Sequence, residues 1–443
     1  MACDVLNLEW SSSGRDREVA TAICHTLRRR GYGVVEECIF NYRYHLLKHR
    51  PRLLYVADPT GARINHEVSL FADRIGVPSV CVDAEGDYVE GAVDKMFWGH
   101  IADRRLRQRL KLQWSARSKE RVLAIAPDLG DRLRVTGAVG FDRYRIHDFA
   151  SKEDWRRKYG FAQKRTVGFA GWTFDYLSVP PERDARERLY GQETVERFQR
   201  DRDALRALLG DLIRGRPETM FVLKQHPGVI DPAETEFAGL DDAENVLLIK
   251  DEEAIGDCIN ACDVWMAYSS TTCIEAWLLG RPTLSVNPSG GDFPRSESYL
   301  GAPVFETLES VESALAEHEA TARIAAFDAL EQTRAKLLAG MLQWVDGRNH
   351  LRAAHYFERL LDAIPDQRRP FPASERPAAY KDHLLNLGAR RFPTLPGLQH
   401  RARGRGFDRS ELQRIQQRTA AAMEALPDSL SERELAELER VNS

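Results

Sequence analysis

The sequence predicts an α/β protein with two doubly wound, Rossmann-like domains that face a cleft, followed by C-terminal helices. Three observations support this prediction. A chain of 443 residues is too long for one ordinary core. Apolar runs of strand length alternate with helical patterns, which is typical of parallel sheets covered by helices. The alternation also occurs as two separate series, divided near residue 150 by a more polar stretch.

The first series ends near residue 145. Its apolar runs, each typical of a buried strand, lie at residues 4–10, 33–39, 52–58, 79–86 and 94–99. Helical patterns follow four of these runs, at Arg15–Arg30, Tyr42–Lys48, Ala62–Ile75 and Ile101–Leu112. A shorter unit closes this half, with apolar runs at residues 121–127 and 132–142.

The second series follows a polar linker. Its apolar runs lie at residues 166–174, 219–228, 245–251, 263–270, 281–288 and 302–308, with helices expected at Thr194–Arg214, Ile255–Ala261 and 271–280. After residue 320 the pattern is helical. We therefore expect an N-terminal domain at 1–147, a linker at 148–164, a second domain at 165–345, and C-terminal helices at 346–443 that partly pack on the N-terminal domain.

The overall charge is nearly balanced, with 63 basic and 67 acidic residues. This balance gives no reason to expect a nucleic-acid partner. Two stretches are locally basic, one at 102–114 and one at 399–409. We expect the first to form a basic surface helix. Both stretches are expected to be solvated surface, with an anionic membrane surface or an anionic substrate as alternative contacts. For the second stretch, disorder is a further alternative.

Neither a disulfide framework nor a zinc site is expected, since the seven cysteines include no CxxC pair. The N-terminus enters a strand pattern directly, without the basic start and apolar core of a signal peptide. No run of 18 apolar residues occurs. We therefore expect a cytoplasmic protein whose membrane contact, if any, is peripheral at the inner membrane.

The segment "FVLKQHPG" carries candidate ligand-binding residues. Strand alternation places Lys224 and His226 on one face, and Pro227 and Gly228 end the strand immediately afterwards. Lysine is a point-charge partner for phosphate, and histidine can donate to an anion or exchange its proton near neutral pH. The alternative is a solvent-facing strand end followed by a turn.

A second candidate is the hydroxyl-rich turn before the helix at 271–280. Ser269, Ser270 and Thr271 lie where backbone amides and hydroxyls can bind an anion, for which phosphate is best suited. Thr272 and Glu275 also have the spacing of a capping box, in which Glu275 would only stabilise the helix start. Both interpretations can hold together.

A third candidate is the acidic stretch that follows the apolar run ending at Val82. Asp83 and Glu85 would lie on the same face by alternation. Asp87 and Glu90 are expected to be solvated. A carboxylate at the open end of a strand is well placed to act as a general base.

Together these stretches resemble the GT-B glycosyltransferases that use CMP-activated acidic sugars: bacterial sialyltransferases, capsule Kdo transferases and the related surface carbohydrate biosynthesis proteins. Those families carry an acidic (D/E)(D/E)G motif, a His-Pro pair and a Ser-Ser or Ser-Thr pair. This chain has Glu85-Gly86, His226-Pro227 and Ser269-Ser270 in that order. The flanking similarity covers roughly residues 80–355. One position departs from the pattern, because Ala84 stands where the first acidic residue is expected.

The resemblance implies transfer of a nonulosonic acid or Kdo-type sugar from its CMP donor to a bacterial surface glycan. Glu85 would be the general base, and Asp83 would orient the acceptor or raise the pKa of Glu85. The departing phosphate would be stabilised by His226 with Lys224 and by the turn of Ser269, Ser270 and Thr271. Glu275 would accept hydrogen bonds from the ribose. No cofactor and no metal are expected.

Other functions remain open at this point. A polyol-phosphate transferase of the CDP-glycerol type also combines a GT-B fold with a His-Pro element, and nucleotide-sugar epimerases share the architecture. A non-catalytic, nucleotide-binding subunit of a polysaccharide assembly complex is a further alternative. The Ala84 departure and the arginine-rich tail favour this last interpretation.

Overall fold

The computed structural model describes residues 2–10, 14–58, 62–83, 86, 88, 91–250, 252–293, 295–366, 368–392, 394–395 and 407–443. The chain divides into two compact units, Met1–His147 with Ala339–Ser443, and Asp148–Leu338. Each unit contains a parallel sheet of six strands. This is the predicted α/β class with two doubly wound domains.

The first sheet has the strand order β2-β1-β3-β4-β5-β6, and each neighbouring pair is parallel. Its strands are β1 (Val5–Glu9), β2 (Val34–Cys38), β3 (Leu53–Val56), β4 (Ser79–Val82), β5 (Leu110–Gln113) and β6 (Leu133–Val135). The helices of this part of the chain are α1 (Arg15–Arg29), α2 (Tyr42–His49), α3 (Arg63–Arg74), α4 (Val93–Trp98), α5 (Ala116–Ile125) and α6 (Arg143–Ile146). Every residue of β1, β3 and β4 is buried, as expected for strands covered on both faces.

The second sheet has the order β12-β11-β10-β7-β8-β9 and is also parallel. Its strands are β7 (Arg165–Ala170), β8 (Thr219–Lys224), β9 (Val246–Ile249), β10 (Val264–Ala267), β11 (Thr283–Val286) and β12 (Val304–Phe305). The helices are α7 (Lys152–Tyr159), α8 (Pro180–Tyr190), α9 (Gln192–Gly215), α10 (Ile255–Asn260), α11 (Thr272–Leu278), α12 (Leu308–Thr321), α13 (Ala325–Asp328) and α14 (Glu331–Leu342). Helix α9 buries Leu205, Leu209 and Leu212 in the same core cluster as Phe221 of β8.

The chain ends in four helices that belong to the first unit: α15 (Asn349–Ala363), α16 (Arg376–Arg391), α17 (Arg409–Met423) and α18 (Glu432–Asn442). Leu351 and Phe357 of α15 and Leu438 of α18 share a core cluster with Val5 of β1 and Ile23 of α1. The first core is therefore completed by residues from the opposite end of the sequence.

The segment predicted as a linker, 148–164, lies in the second unit. Its helix α7 buries Trp155 beside Ile259 and Trp265. Apart from Trp155 this helix is mostly charged, so its sequence resembles a linker although one aromatic side chain fixes it to the core.

Two predicted elements of the first half were wrong. Residues 94–99 were expected as a strand, but they lie largely in helix α4. The apolar run at 121–127 lies largely in helix α5. The expected helix Ile101–Leu112 is a series of turns that leads into β5. A short apolar run does not by itself distinguish a buried helix from a buried strand. Strand β5 was missed because it contains Lys111, a charged residue that is buried in the structure.

The basic stretch at 102–114 is therefore not a surface helix. Its arginines lie before β5 and line a cavity of about 610 Å³ in the first unit, whose walls include eight arginines and two aspartates. Of the second basic stretch, 399–409, only the last three residues are described. Within the described parts of the chain, no helix is long and apolar enough to cross a membrane.

Candidate functional site

The topology of the second sheet identifies the edge where a ligand is expected to bind. The chain runs from β7 to β8 and β9 on one side, and then crosses to β10, β11 and β12 on the other. The loops that follow β7 and β10 thus lie at a topological switch point, outside the carboxyl ends of the strands. Open α/β sheets bind ligands at such points. The predicted His226 and Ser269-Ser270 lie in the loops after β8 and β10, on either side of β7.

Gly171 brings the loop after β7 against the loop after β8. Its backbone N–H donates to the carbonyl of Lys224 over 2.8 Å. A Cβ at position 171 would lie 3.1 Å from the backbone nitrogen of His226 and 2.9 Å from the ring of Phe237. Only glycine allows this close approach, so position 171 helps to hold His226 at the switch point. No motif in the sequence marks this residue.

The imidazole of His226 is oriented by its own turn. Its Nδ1 accepts a hydrogen bond from the backbone N–H of Gly228 over 3.1 Å. Because Nδ1 is the acceptor, the neutral ring carries its proton on Nε2. A Cβ at Gly228 would lie 2.4 Å from the hydroxyl of Tyr176. The glycine after His226-Pro227 is thus required by packing as well as by the turn.

The ammonium group of Lys224 contacts the chain that follows β9. Strand β8 pairs with β7 and β9, and the Nζ of Lys224 donates to the carbonyl of Lys250, which follows β9. Lys224 and His226 were expected to bind a phosphate together, but the ammonium group of Lys224 donates to a backbone carbonyl instead. Its nucleotide-binding role stays a prediction.

The hydroxyl-rich turn precedes α11 as predicted, but without a capping box. The helix begins at Thr272, and its N-cap residue Thr271 makes no side-chain cap hydrogen bond. Ser270 Oγ accepts from the N–H of Thr272 over 3.2 Å, and Thr272 Oγ1 accepts from Trp265 Nε1 over 3.0 Å. Glu275 is buried, with 4% of its surface exposed. Its expected role toward a ribose stays a prediction.

Arg295 lies beside this turn, and the sequence analysis did not select it. Its Nη1 donates to the carbonyl of Tyr268, which directly precedes Ser269, over 2.8 Å. The guanidinium group lies 3.8 Å from the ring centroid of Phe293, 4.3 Å from that of Tyr299 and 4.7 Å from that of Tyr268. Such stacking fixes a planar cation in place.

The other two nitrogens of Arg295, Nε and Nη2, are buried and have no hydrogen-bond acceptor in the described part of the chain. Two donors on one side of a guanidinium match two oxygens of a phosphate. The only sequence signal for this residue is its position in the glycine-containing loop after β11, where a ligand-binding segment is common.

A buried carboxylate lies under the loop after β7. Glu236 Oε1 accepts from the backbone N–H of Trp172 over 2.6 Å. Burial raises the pKa of Glu236 to about 7, against the hydrogen bond from Trp172, which lowers it. The segment 229–240 reads as a polar loop in the sequence, so nothing local indicates that this glutamate is buried.

In the first unit, Asp83 belongs to a buried polar network. The Nζ of Lys111 contacts both Asp83 Oδ1 and Asp58 Oδ1 at 2.8 Å, and the hydroxyl of Tyr88 donates to Asp83 Oδ2 over 2.9 Å. Asp83 and Lys111 are almost completely buried. Burial raises the pKa of Asp83, and the Asp58 carboxylate adds to this shift while Lys111 opposes it. These contacts hold β3, β4 and β5 together, and a catalytic role of Asp83 stays a prediction.

Glu85, the predicted general base, lies outside the described residues, as do Ala84, Asp87 and Glu90. The neighbouring Gly86 is described. A Cβ there would lie 2.3 Å from the indole ring of Trp114, whose Nε1 donates to the carbonyl of Asp83 over 2.8 Å. The glycine of the Glu85-Gly86 pair is thus required by packing against Trp114.

The first sheet also has a topological switch point, between β1 and β3, and a buried carboxylate lies there. Glu9 ends β1 and accepts from Asn7 Nδ2 over 3.3 Å. Burial raises the pKa of Glu9 to about 8, although the charge of Arg17 lowers it. Glu9 has no sequence signal, because it ends an apolar strand without any motif around it.

Comparisons with known proteins support the fold. No family model and no curated protein matches the sequence. The UDP-GlcNAc 2-epimerase from Neisseria meningitidis, bound to UDP-GlcNAc, matches with a TM-score of 0.52 and 14% identity over 81% of this chain and 100% of that chain. Staphylococcus aureus MnaA with UDP matches with a TM-score of 0.54 and 13% identity over 82% and 98%. The wall teichoic acid polymerase TagF with CDPG matches with a TM-score of 0.53 and 11% identity over 81% and 89%.

These likenesses confirm the predicted GT-B type of fold, with two Rossmann-like domains. At such low identity they extend no further than the fold. The CMP-linked acidic sugar that the sequence resemblance implies stays a prediction.

Proposed function

We propose that this protein is an enzyme that uses a nucleotide-activated donor and transfers its glycosyl group to an acceptor hydroxyl. The nucleotide phosphate binds at the carboxyl edge of the second sheet. The observation that carries this proposal is the set of donors at that edge: Arg295, fixed by three aromatic rings, the hydroxyl turn that follows Tyr268, and the oriented His226.

The arrangement suits a leaving phosphate. Negative charge grows on the phosphate as its bond to the sugar breaks, and donors fixed before the reaction stabilise that charge without reorganising. Arg295 has two parallel N–H groups on one side of its guanidinium, and the neutral ring of His226 carries its proton on Nε2. The loops that carry Ser269 and His226 follow strands two positions apart in the sheet, about 10 Å. A phosphate with its attached nucleoside or sugar can span this distance.

For the donor we retain the CMP-linked nonulosonic acid or Kdo-type sugar, with a bacterial surface glycan as the acceptor. The support is the ordered set of Glu85-Gly86, His226-Pro227 and Ser269-Ser270. In this proposal Glu85 takes the proton from the acceptor hydroxyl, and His226 and Arg295 bind the departing CMP phosphate. The buried Asp83 network acts indirectly, by fixing the strand end from which Glu85 follows.

The fold comparisons favour a second candidate, an enzyme that acts on a nucleoside diphosphate. The similar structures include TagF with CDPG and an epimerase bound to UDP-GlcNAc. A polyol-phosphate transferase or an epimerase would place a diphosphate against the same Arg295 and His226. A non-catalytic nucleotide-binding subunit would use the same cradle without turnover.

Nucleotide binding and turnover separate these candidates. Thermal unfolding is measured with CMP, CDP and UDP in turn, since a ligand at 100 times its dissociation constant adds about 2.7 kcal/mol of stability. Mass analysis then follows incubation with CMP-sialic acid, CMP-Kdo, CDP-glycerol and UDP-GlcNAc. We expect CMP to stabilise most and a CMP-sugar to release CMP. A preference for CDP or UDP would favour the second candidate, an enzyme that acts on a nucleoside diphosphate. The absence of stabilisation by any of the three nucleotides would refute both candidates.

His226→Gln tests whether the cradle is the binding site. We expect nucleotide binding weakened and turnover reduced by roughly 10²-fold, because one transition-state donor is lost. His318→Gln, on helix α12 of the same unit, is the matched control and should behave as the wild type. Equal behaviour of the two variants would make His226 a turn residue only.

A further inference from the structure

Three buried side chains with metal-ligating atoms meet in the first unit, in a group we call the Glu37 cluster: Glu37, His45 and His49. Their ligand atoms all lie within 4.8 Å of one another. Each residue is buried, with 4%, 6% and 6% of its surface exposed, respectively. The cluster lies on β2 and α2, and the proposed nucleotide site does not use it.

Local structure brings the three residues together. His45 and His49 are four residues apart on α2, so both lie on one face of that helix. Glu37 lies near the end of β2, which α2 follows after a short turn. Two histidines one helical turn apart, with a carboxylate from another element, are a common ligand set for zinc.

The distances are close to those of a metal site. Glu37 Oε1 lies 3.4 Å from His49 Nε2 and 3.8 Å from His45 Nδ1. Two ligands at the corners of a tetrahedral zinc ion are about 3.3 Å apart, since each lies roughly 2.0–2.1 Å from the metal. Small movements of the two imidazole rings would complete the geometry.

The surroundings prepare the ligands for a cation. The Nδ1 of His45 is buried and has no hydrogen-bond partner in the described residues. Arg409 Nη2 donates to Glu37 Oε2 over 2.7 Å, which leaves Oε1 directed at the histidines. Metal-binding carboxylates are commonly oriented by such an outer hydrogen bond.

A cavity of about 160 Å³ borders the cluster, with Glu37, His45 and Arg409 in its wall. It has room for water or another small molecule at a fourth coordination position. We propose that the Glu37 cluster binds a zinc-type divalent transition metal through Glu37 Oε1, His45 Nδ1 and His49 Nε2. Two nitrogen ligands select such an ion over Mg²⁺ and Ca²⁺, which prefer oxygen.

Zinc binding is tested on the full chain after chelator treatment, by titration with zinc and by elemental analysis after dialysis. We expect one zinc ion per chain in the wild type and none in His45→Ala/His49→Ala. His66→Ala, on helix α3 of the same unit, is the matched control and should retain the metal. Equal zinc in the wild type and the double variant, or no zinc in the wild type, would overturn the proposal.

Two further measurements do not depend on the stability of the double variant. Co²⁺ bound to the wild type should show the visible absorption of a tetrahedral nitrogen and oxygen site, and Mg²⁺ should not displace it. Arg409→Gln removes only the outer hydrogen bond and should weaken zinc binding roughly 10-fold. A featureless Co²⁺ spectrum would exclude the tetrahedral site, and unchanged affinity in Arg409→Gln would exclude the proposed orientation of Glu37.

Discussion

At the scale of single residues, the side chains that define the candidate site differ from those with the clearest sequence signal. His226 lies where the motif indicated, with a turn that fixes its tautomer. Lys224, which the strand pattern paired with it, donates to a carbonyl after β9. Arg295 has no motif of its own, yet two donors of its buried guanidinium, next to the hydroxyl turn, have no acceptor among the residues that the structure describes.

The role of Arg295 is tested by Arg295→Lys. Lysine keeps the charge but loses the two parallel donors and the stacking on Phe293, so we expect the best-binding nucleotide to lose roughly 10- to 100-fold in affinity. Isothermal titration measures this change. Arg323→Lys, an exposed arginine paired with Asp328, is the control and should bind normally. An affinity within about twofold of the wild type would remove Arg295 from the site.

Glu236 makes a prediction about pH. Burial raises its folded-state pKa to about 7 from an ordinary 4.5, so the folded chain holds a proton that the unfolded chain has released between these values. This contribution to stability is present below pH 4.5 and is lost as the pH rises through about 7. Glu236→Gln keeps the acceptor for Trp172. The unfolding free energy of this variant should therefore fall by ~3 kcal/mol less than that of the wild type between these pH values.

Denaturant unfolding at several pH values measures this difference. Glu309→Gln, at an exposed helix start, is the control and should keep the wild-type pH profile. Parallel profiles for wild type and Glu236→Gln would show that Glu236 is ionised in the folded protein.

At the scale of elements, a buried ion network joins three neighbouring strands. Asp58 follows β3, Asp83 follows β4 and Lys111 lies in β5, and the ammonium group of Lys111 contacts both carboxylates. Lys111 thus contacts the ends of two strands. It fixes the position of Asp83, the first residue of the acidic stretch. Removal of that cation takes away the positive charge that contacts the buried Asp83 carboxylate.

Lys111→Met should therefore destabilise the protein by ~3–5 kcal/mol. The double variant Lys111→Met/Asp83→Asn should recover part of this loss, because the buried charge of Asp83 is removed together with that of Lys111. Chemical denaturation of the wild type, both single variants and the double variant gives the interaction energy. Strictly additive effects would show that Lys111 and Asp83 do not interact.

At the scale of the whole molecule, the first unit is discontinuous in sequence and the second is continuous. Phe357 and Leu361 of α15 and Leu438 of α18 are fully buried in the core that contains Val5. Each such side chain contributes ~1.5–3 kcal/mol when buried. The first 147 residues alone would expose this apolar surface, whereas residues 148–338 carry their own core.

Fragments test this difference. We expect residues 148–338 expressed alone to unfold cooperatively on heating, and residues 1–147 alone to lack cooperative unfolding. Supplying residues 339–443 as a separate chain should restore a cooperative transition to the N-terminal fragment. Cooperative unfolding of residues 1–147 by themselves would show that the C-terminal helices are not part of that core.

The sequence by itself determined the α/β class, the presence of two alternating series, and an apolar run at every strand from β7 to β12. These features follow from local periodicity, because the pattern of apolar residues along one segment reports which of its faces is buried. It also indicated His226 and Ser269-Ser270, since turns at strand ends have recognisable residues. It did not distinguish short apolar helices such as α4 from strands.

Only the tertiary structure decided which distant residues meet. Arg295 reaches the turn after β10, Lys111 lies between Asp58 and Asp83, and Glu37 meets Arg409, which is 372 residues away. Helix α15 likewise joins the first core rather than the second. Such contacts leave no periodic signal in either segment, because a buried polar group is stabilised by a partner across the fold and not by its sequence neighbours.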